Sequence, residues 1–243
     1  MKAESYDIIY SSEDAHWWYK VRREMVRDIL SEYTGKKDRP LRILDIGCGT
    51  GLLMRDLGQF GTVQGIDSSP LAIEYCKKRG LTNVSLASAT SLPFDSNSFD
   101  VVVILDVLEH LEDDGAGCRE LARVLDTGGI AIITTPAFMF LWSGTDVLGQ
   151  HYRRYTRNEI RNKVSAAHMK IRRTTYFNTL LFPAILFVRL CVRLLNIPMR
   201  AEAHIGGSVG NTIFYYIFHI ESILLRWGMN FPFGVSILVL AEK

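Results

Sequence analysis

The sequence predicts an α/β protein built on a mostly parallel sheet with helices on both faces. Three observations carry this. Short apolar runs alternate with stretches of helical period between residues 41 and 176. Some runs, such as "FDVVVILDV" and "GIAIITT", are apolar almost throughout, as strands covered on both faces must be. The first run, "LRILDI", leads straight into "GCGTG", where alternating glycines keep side chains off the backbone at a strand-to-helix turn.

The elements follow in order. "DAHWWYKVRREMVRDILSEY" (14–33) reads as a helix that opens on acids and is rich in aromatics; a polar loop then runs to Pro40. "RILDIG" is a strand and "GLLMRDLGQF" a helix. "TVQGID" is a strand, followed by the helix "SPLAIEYCKKRG" with Pro70 in its first turn. "VSLAS" and "FDVVVILDV" are strands, and "GCRELARVL" is a helix that Gly128-Gly129 would end. "GIAIITT" is a strand, and "TRNEIRNKVSAAH" a helix with Thr156 as cap and Glu159 three residues on. "KIRRTTYF" is a strand. The alternation then breaks into two apolar helical stretches, "NTLLFPAILFVRLCVRLLN" and "NTIFYYIFHIESILLRW", joined by "HIGGSVGN" and closed by the strand "GVSILVLAEK". The expected organisation is one domain over 1–243: N-terminal helix 14–33, core 41–176 plus final strand 234–243, and helical insertion 177–233.

At 243 residues and 48% hydrophobic content, the chain can bury one sizeable core. Net charge is only +2, but residues 151–200 hold eleven Lys and Arg against one acid, Glu159, which suggests an anionic partner for that segment. The four cysteines, Cys48, Cys76, Cys118 and Cys191, form no CxxC pair, so no metal is assigned and no disulfide framework is expected. With no signal-peptide core or lipidation motif in view, the expected location is the cytoplasm.

The glycine loop narrows the ligand. Gly47, Gly49 and Gly51 give G-x-G-x-G, and Leu52 stands where a dinucleotide fingerprint needs its last glycine. Asp45 precedes the loop by two residues, which suits a cation better than a phosphate. Asp67 ends the next strand, at the distance where a carboxylate accepts from ribose hydroxyls. Two nucleoside features without pyrophosphate spacing point to a nucleoside carrying an amino-acid tail.

Over 42–135, together with the closing strand, the chain resembles the class I S-adenosylmethionine-dependent methyltransferases. "LDIGCGTG" is similar to the family's first motif, which implies that the backbone at Gly47, Cys48 and Gly49 lies against the cofactor, with Asp67 and the adjoining Ser68 at the ribose. "LASATSLPF" resembles the motif whose Ala89 and Thr90 border the adenine, although Ser88 stands where the family often has an acid. "FDVVVILDVLEHL" resembles the motif whose strand end, Leu105 to Val107, lies under the methionine part. The resemblance implies a Rossmann-like methyltransferase fold with a seven-stranded sheet, and S-adenosylmethionine as cofactor. "HYRRYT", "HWW…RR" and "PFGVSILVLAEK" are similar to those of a subset of bacterial and archaeal methyltransferases; they extend the likeness over nearly the whole chain and name no acceptor. The NPPY-type signature of enzymes that methylate base amino groups is absent, so a nucleic-acid substrate is not expected.

The acceptor is expected beyond the carboxyl ends of the strands. There "TPAFMFLWSGTDVLGQHYRRYTRNEI" makes a long loop carrying Trp142, Asp146 and "HYRRY". For a hydroxyl acceptor His151 is the first choice of base and His110 the second, because imidazole titrates near working pH. Tyr155 and Arg154 are candidates for orienting the acceptor. Trp17 and Trp18 are expected to staple the first helix to the core, with Tyr19, Arg22 or Arg23 reaching the cofactor carboxylate. Arg189 and Arg193 interrupt the apolar run that starts at residue 180, so no transmembrane span is expected. The two apolar helices read as an in-plane contact with an anionic membrane, as a lid, or as a homodimer contact. The expected function is methyl transfer to a small-molecule or lipid-linked acceptor, most plausibly at oxygen; the alternative is a non-catalytic cofactor-binding scaffold.

Overall fold

The structure is a computed structural model that describes residues 3–34, 39–195 and 208–243. Seven strands form one sheet: β1 (Leu41–Ile46), β2 (Gly61–Asp67), β3 (Val84–Leu86), β4 (Phe99–Leu105), β5 (Leu125–Pro136), β6 (Lys170–Phe177) and β7 (Ser236–Glu242). Their order is β3-β2-β1-β4-β5-β7-β6. The first five are parallel, and β7 runs antiparallel between β5 and β6. This is the mostly parallel, Rossmann-like methyltransferase sheet that the sequence predicts.

Why β4 is apolar at nearly every position is visible in its neighbours. All seven residues are buried. Val102 and Ile104 pack into the core on one face, and Val101, Val103 and Leu105 into the core on the other. A period of two therefore costs no polar positions when both faces are covered. The first face is covered by α5 (Asp114–Val124) and α7 (Arg157–Ala166), through Leu121, Val124, Ile160 and Val164. The second is covered by α2 (Trp17–Thr34), α3 (Leu52–Leu57) and α9 (Ser208–Arg226), through Val26, Leu30, Leu57 and Phe218. Each such side chain contributes about 1.5–3 kcal/mol on burial.

Some boundaries differ from expectation. Helix α5 ends at Val124, and Gly128-Gly129 lie inside β5 rather than closing the helix. A helix that the polar start of the chain concealed, α1 (Ala3–Ser12), precedes α2 and sets Tyr6 and Tyr10 against Tyr75 of α4 (Pro70–Lys78). The long loop after β5 holds a 3-10 turn at Met139–Leu141 and a short helix, α6 (Gly144–Gly149). Helix α7 has the expected box: Thr156 Oγ1 accepts from Glu159 N, while Glu159 Oε2 accepts from Thr156 N.

Helix α8 (Phe182–Leu194) and α9 stand between β6 and β7. Trp18 stacks on Phe177 and Phe218, and Trp17 meets Phe214 and Phe218, so the tryptophans do fasten α2 to α9. Buried Glu221 of α9 accepts from Thr179 N (2.7 Å) and Leu180 N (2.9 Å), which ties down the turn into α8. Residues 204–207 of the glycine connector and Arg200 lie outside the described residues. Helix α9 begins at Ser208, three residues ahead of the expected start. Among the described residues no helix is long and apolar enough to cross a membrane.

Candidate active site

The strand order reverses between β1 and β4, and open α/β sheets bind ligands beyond the carboxyl ends of the strands at such a point. Gly47 sits there with φ +73°, and a Cβ on it would come within 2.3 Å of Val107 Cγ2. Only glycine permits this backbone path so close to the end of β4. Gly51 at φ +83° starts α3. Asp67, the last residue of β2, accepts from Gly49 N (3.0 Å) and Ser69 N (2.9 Å). Its carboxylate thus stiffens the glycine loop and keeps further lone pairs for a diol.

Asp45 is 2% exposed, and its Oδ2 has no hydrogen-bond partner. Burial pushes its carboxyl up to about 7; Arg22 draws it down and Asp67 raises it further. Arg22 reaches over from α2 to donate to Asp106, and its buried Nε has no partner. Among the described residues this tip gathers Asp45, Asp67 and Asp106 around one guanidinium. That excess of acid repels a pyrophosphate and suits a ligand carrying positive charge.

The rest of the predicted cofactor set lies along the same edge. Leu105 ends β4 almost fully buried, Ser68 is exposed in the β2–α4 turn, and Ala89 is buried beside half-buried Thr90. Ser88 Oγ and Thr90 Oγ1 share a hydrogen bond of 2.8 Å. The side chain of Cys48 packs inward, 3.9 Å from Cys76 Sγ. Hydrogen bonding to Cys76 and burial push its thiol up, so Cys48 serves as a small residue in the loop and not as a nucleophile.

On the acceptor side, His110 and His151 meet edge to face with centroids 4.5 Å apart. His110 belongs to a 3-10 turn, Leu108–His110, just past β4. Tyr152 N donates to the carbonyl of Glu109 (2.8 Å), which ties the two segments together. His151 Nδ1 lies 2.9 Å from Asp146 Oδ1. Burial alone raises the Asp146 carboxyl, but hydrogen bonds from His151 and Arg154 hold it well below the usual carboxylate range. Asp146 therefore accepts as a carboxylate, and His151 is protonated on Nδ1 and open at Nε2. His110 is pushed down to about 4, by burial and then by His151, so it is neutral at pH 7.

Two candidates turn away from the acceptor. Arg154 is 6% exposed and spends its guanidinium on Asp146, at 2.7 and 2.9 Å, and on the Ala137 carbonyl at 3.1 Å. Tyr155 is 2% exposed and donates its hydroxyl to Asp114 at 2.7 Å. As neighbours in an extended segment, Arg154 and Tyr155 point to opposite faces, yet both faces are covered by protein, and each side chain finds an acidic partner there. Their polar atoms are bonded within the protein and tie the loop to α6 and α5.

Residues 44–133 match a family model described as a methyltransferase domain. This segment is a methyltransferase domain of the class I S-adenosylmethionine-dependent kind. Its cofactor is S-adenosylmethionine, whose positive charge fits the acidic tip. The chain is 30% identical over 149 residues to a ubiquinone biosynthesis O-methyltransferase of Chelativorans sp. (strain BNC1), covering 56% of this chain and 59% of that one. A protein of the same name from Sinorhizobium medicae is 28% identical over 74% of this chain and 84% of its own. The chain thus spans little more than half the length of the first relative. Among solved structures, a SAM-dependent methyltransferase from Thermotoga maritima shares the fold at TM-score 0.58 and 15% identity, over 99% of this chain and 95% of that one.

Sequence reasoning passed over three residues at this edge and named a fourth, Asp146, without a role. Tyr6 of α1 lies against Asp67 and Ser69, Asp106 pairs with Arg22, Glu109 is wholly buried beside the imidazoles, and Asp146 anchors His151. The one signal in the sequence was the S-x-x-D spacing of Ser143 and Asp146, which is the capping box of α6.

Among the described residues, several cations of the basic segment are paired or bonded within the protein. Arg153 and Lys163 pair with Asp114, Arg154 with Asp146, and Arg172 with Glu242. Arg157 donates to the Phe231 carbonyl and Arg189 to that of Leu141. Arg189 therefore points inward and is not available to lipid phosphates.

Proposed function

We propose that the methyltransferase moves a methyl group to a hydroxyl oxygen of a lipid-linked or similarly apolar acceptor. S-adenosylmethionine supplies the methyl group from a sulfonium. Gly47, Cys48 and Gly49 leave room for it, Asp67 and Ser68 take the ribose, and Ala89 and Thr90 flank the adenine. Arg22 offers Nε to the methionine carboxylate, and Asp45 balances the positive charge. His151 accepts the hydroxyl proton at Nε2, oriented by Asp146, and His110 stands beside it as a second neutral base.

The observation that carries this reading is the Asp146–His151 pair, held 2.9 Å apart in the segment after β5 and against the turn that follows β4. The printed names of the relatives support oxygen as the atom methylated. The apolar acceptor is supported by α9, where Val209, Ile213, Tyr216, Ile220, Ile223 and Trp227 recur every three or four residues and are 36–76% exposed. On α8, Phe187 and Leu194 are likewise exposed, at 68% and 79%. Such an apolar face suits the surface of a bilayer, from which an acceptor with a long apolar tail can be drawn. The reading places the chain in the cytoplasm, at times on the inner face of the membrane.

Incubation with methyl-labelled cofactor and fractionated cell extract tests it. Label is expected in the organic-solvent phase, and the protein is expected to sediment with anionic vesicles. Label confined to water-soluble products removes the lipid-linked acceptor. Cofactor binding without turnover in any fraction favours the scaffold instead. A concentration-dependent dimer that ignores vesicles assigns the α8/α9 face to a second copy.

A further inference from the structure

Glu109 has no duty in the reaction above, yet it is built into the site with care. It is 0% exposed, and neither carboxylate oxygen has a hydrogen-bond partner. Burial, and then the charge of Asp106, push its carboxyl well above the usual range. A buried carboxylate without a donor costs several kcal/mol unless a proton or a cation compensates it. Two groups able to hold a cation are at hand. Glu109, His110 and His151 each offer one ligand atom, and these atoms all lie within 4.8 Å of one another.

We propose that Glu109, His110 and His151 bind one divalent transition-metal cation of the zinc type. Two imidazoles and a carboxylate are a borderline-soft donor set, which favours zinc or cobalt over magnesium or calcium. Three protein ligands leave a position open for a small molecule. His151 has the orientation such a ligand needs, because its Nδ1–H is spent on Asp146 and Nε2 is left to bind. The backbone bond from Tyr152 N to Glu109 O fixes the distance between the two ligand segments. Gly149 packs against both rings: a Cβ there would lie 2.8 Å from His151 Nε2 and 3.6 Å from His110 Cε1. The cysteine pattern gave no hint of this site, since its donors come from two segments that are far apart in the chain.

The inference rests on the proposed oxygen acceptor only for its use. The 3-10 turn carrying Glu109 begins one residue after Val107, which touches the glycine loop. With the ion held, His151 Nε2 would be its ligand and no longer the base; the ion would lower the pKa of a hydroxyl at the open position, whose proton would pass to solvent water.

The test needs no acceptor. The full chain is equilibrated with zinc, passed into metal-free buffer, and its metal content measured; cobalt is substituted and its visible absorption recorded. About one ion per chain is expected, with a cobalt spectrum of low coordination number. Glu109→Gln and His151→Ala are expected to bind zinc at least about tenfold more weakly, while their affinity for S-adenosylmethionine, which reports the fold, stays within about twofold. Less than about a tenth of an ion per chain in the unsubstituted protein overturns the proposal, and so does wild-type occupancy in both variants. Full metal occupancy without label in the organic phase upholds the site and counts against the acceptor reading alone.

Discussion

Asp67 and His151 are both held by hydrogen bonds, but of different kinds. Asp67 is gripped by the backbone of its own β1–α3–β2 unit, through Gly49 N and Ser69 N. His151 is gripped by a side chain, Asp146, whose place depends on α6 and on the bidentate Arg154. The cofactor side is therefore a property of the chain path, and the acceptor side a property of particular side chains. Changes of backbone freedom should dominate on the first, and changes of chemistry on the second.

Gly47→Ala is the harshest way to test this contrast. It forces a left-handed residue into contact with Val107 and should cost about 2–4 kcal/mol in thermal unfolding, with loss of cofactor binding. A normal melting curve would show that the loop is not fixed by its path. On the other side, His151→Ala should slow methyl transfer about a hundredfold with cofactor affinity unchanged by calorimetry. Full activity would clear His151 of any part in the chemistry. Asp67→Ala should weaken cofactor binding by about 1–3 kcal/mol, the scale of a lost charged partner; an unaltered dissociation constant would remove it from the ribose.

A smaller effect should appear with pH. Native Asp45 titrates at about 7, against about 3.9 in an unfolded chain. Across that window the native state binds the extra proton, so the ligand-free protein should lose stability as pH rises from about 4 to 7. A cationic ligand needs the ionised form, so affinity for S-adenosylmethionine should rise, by up to about tenfold per unit, and level off above pH 7. Asp45→Asn should flatten both curves. The smallest change is Tyr155→Phe, which removes the bond to Asp114 and should cost about 1 kcal/mol of stability while leaving turnover intact. A large loss of turnover would return Tyr155 to the acceptor side.

The same contrast explains what the sequence disclosed. The cofactor side sits in contiguous motifs whose local spacing dictates a strand, a turn and a helix, so Asp45, Gly47 and Asp67 were legible one by one. On the acceptor side "HYRRY" drew notice, but the direction of each side chain did not follow from it. Arg154 and Tyr155 turn inward because Asp146 and Asp114 wait there, and both acids lie on other elements. Glu109 drew no notice, because only the packing of its turn against His151 leaves it dry. In the basic segment, the partners of Arg153, Lys163, Arg172 and Arg157 were not legible, because they are remote in the chain.

Phe177 and Ser236 face each other in the β6–β7 ladder. The chain leaves the sheet at one of them and comes back at the other, with α8 and α9 in between. Whatever is spliced between these neighbours, the hydrogen-bond ladder need not slip. A lineage can thus trade this excursion as a cassette, adopting a new molecule to modify while inheriting the nucleotide half untouched.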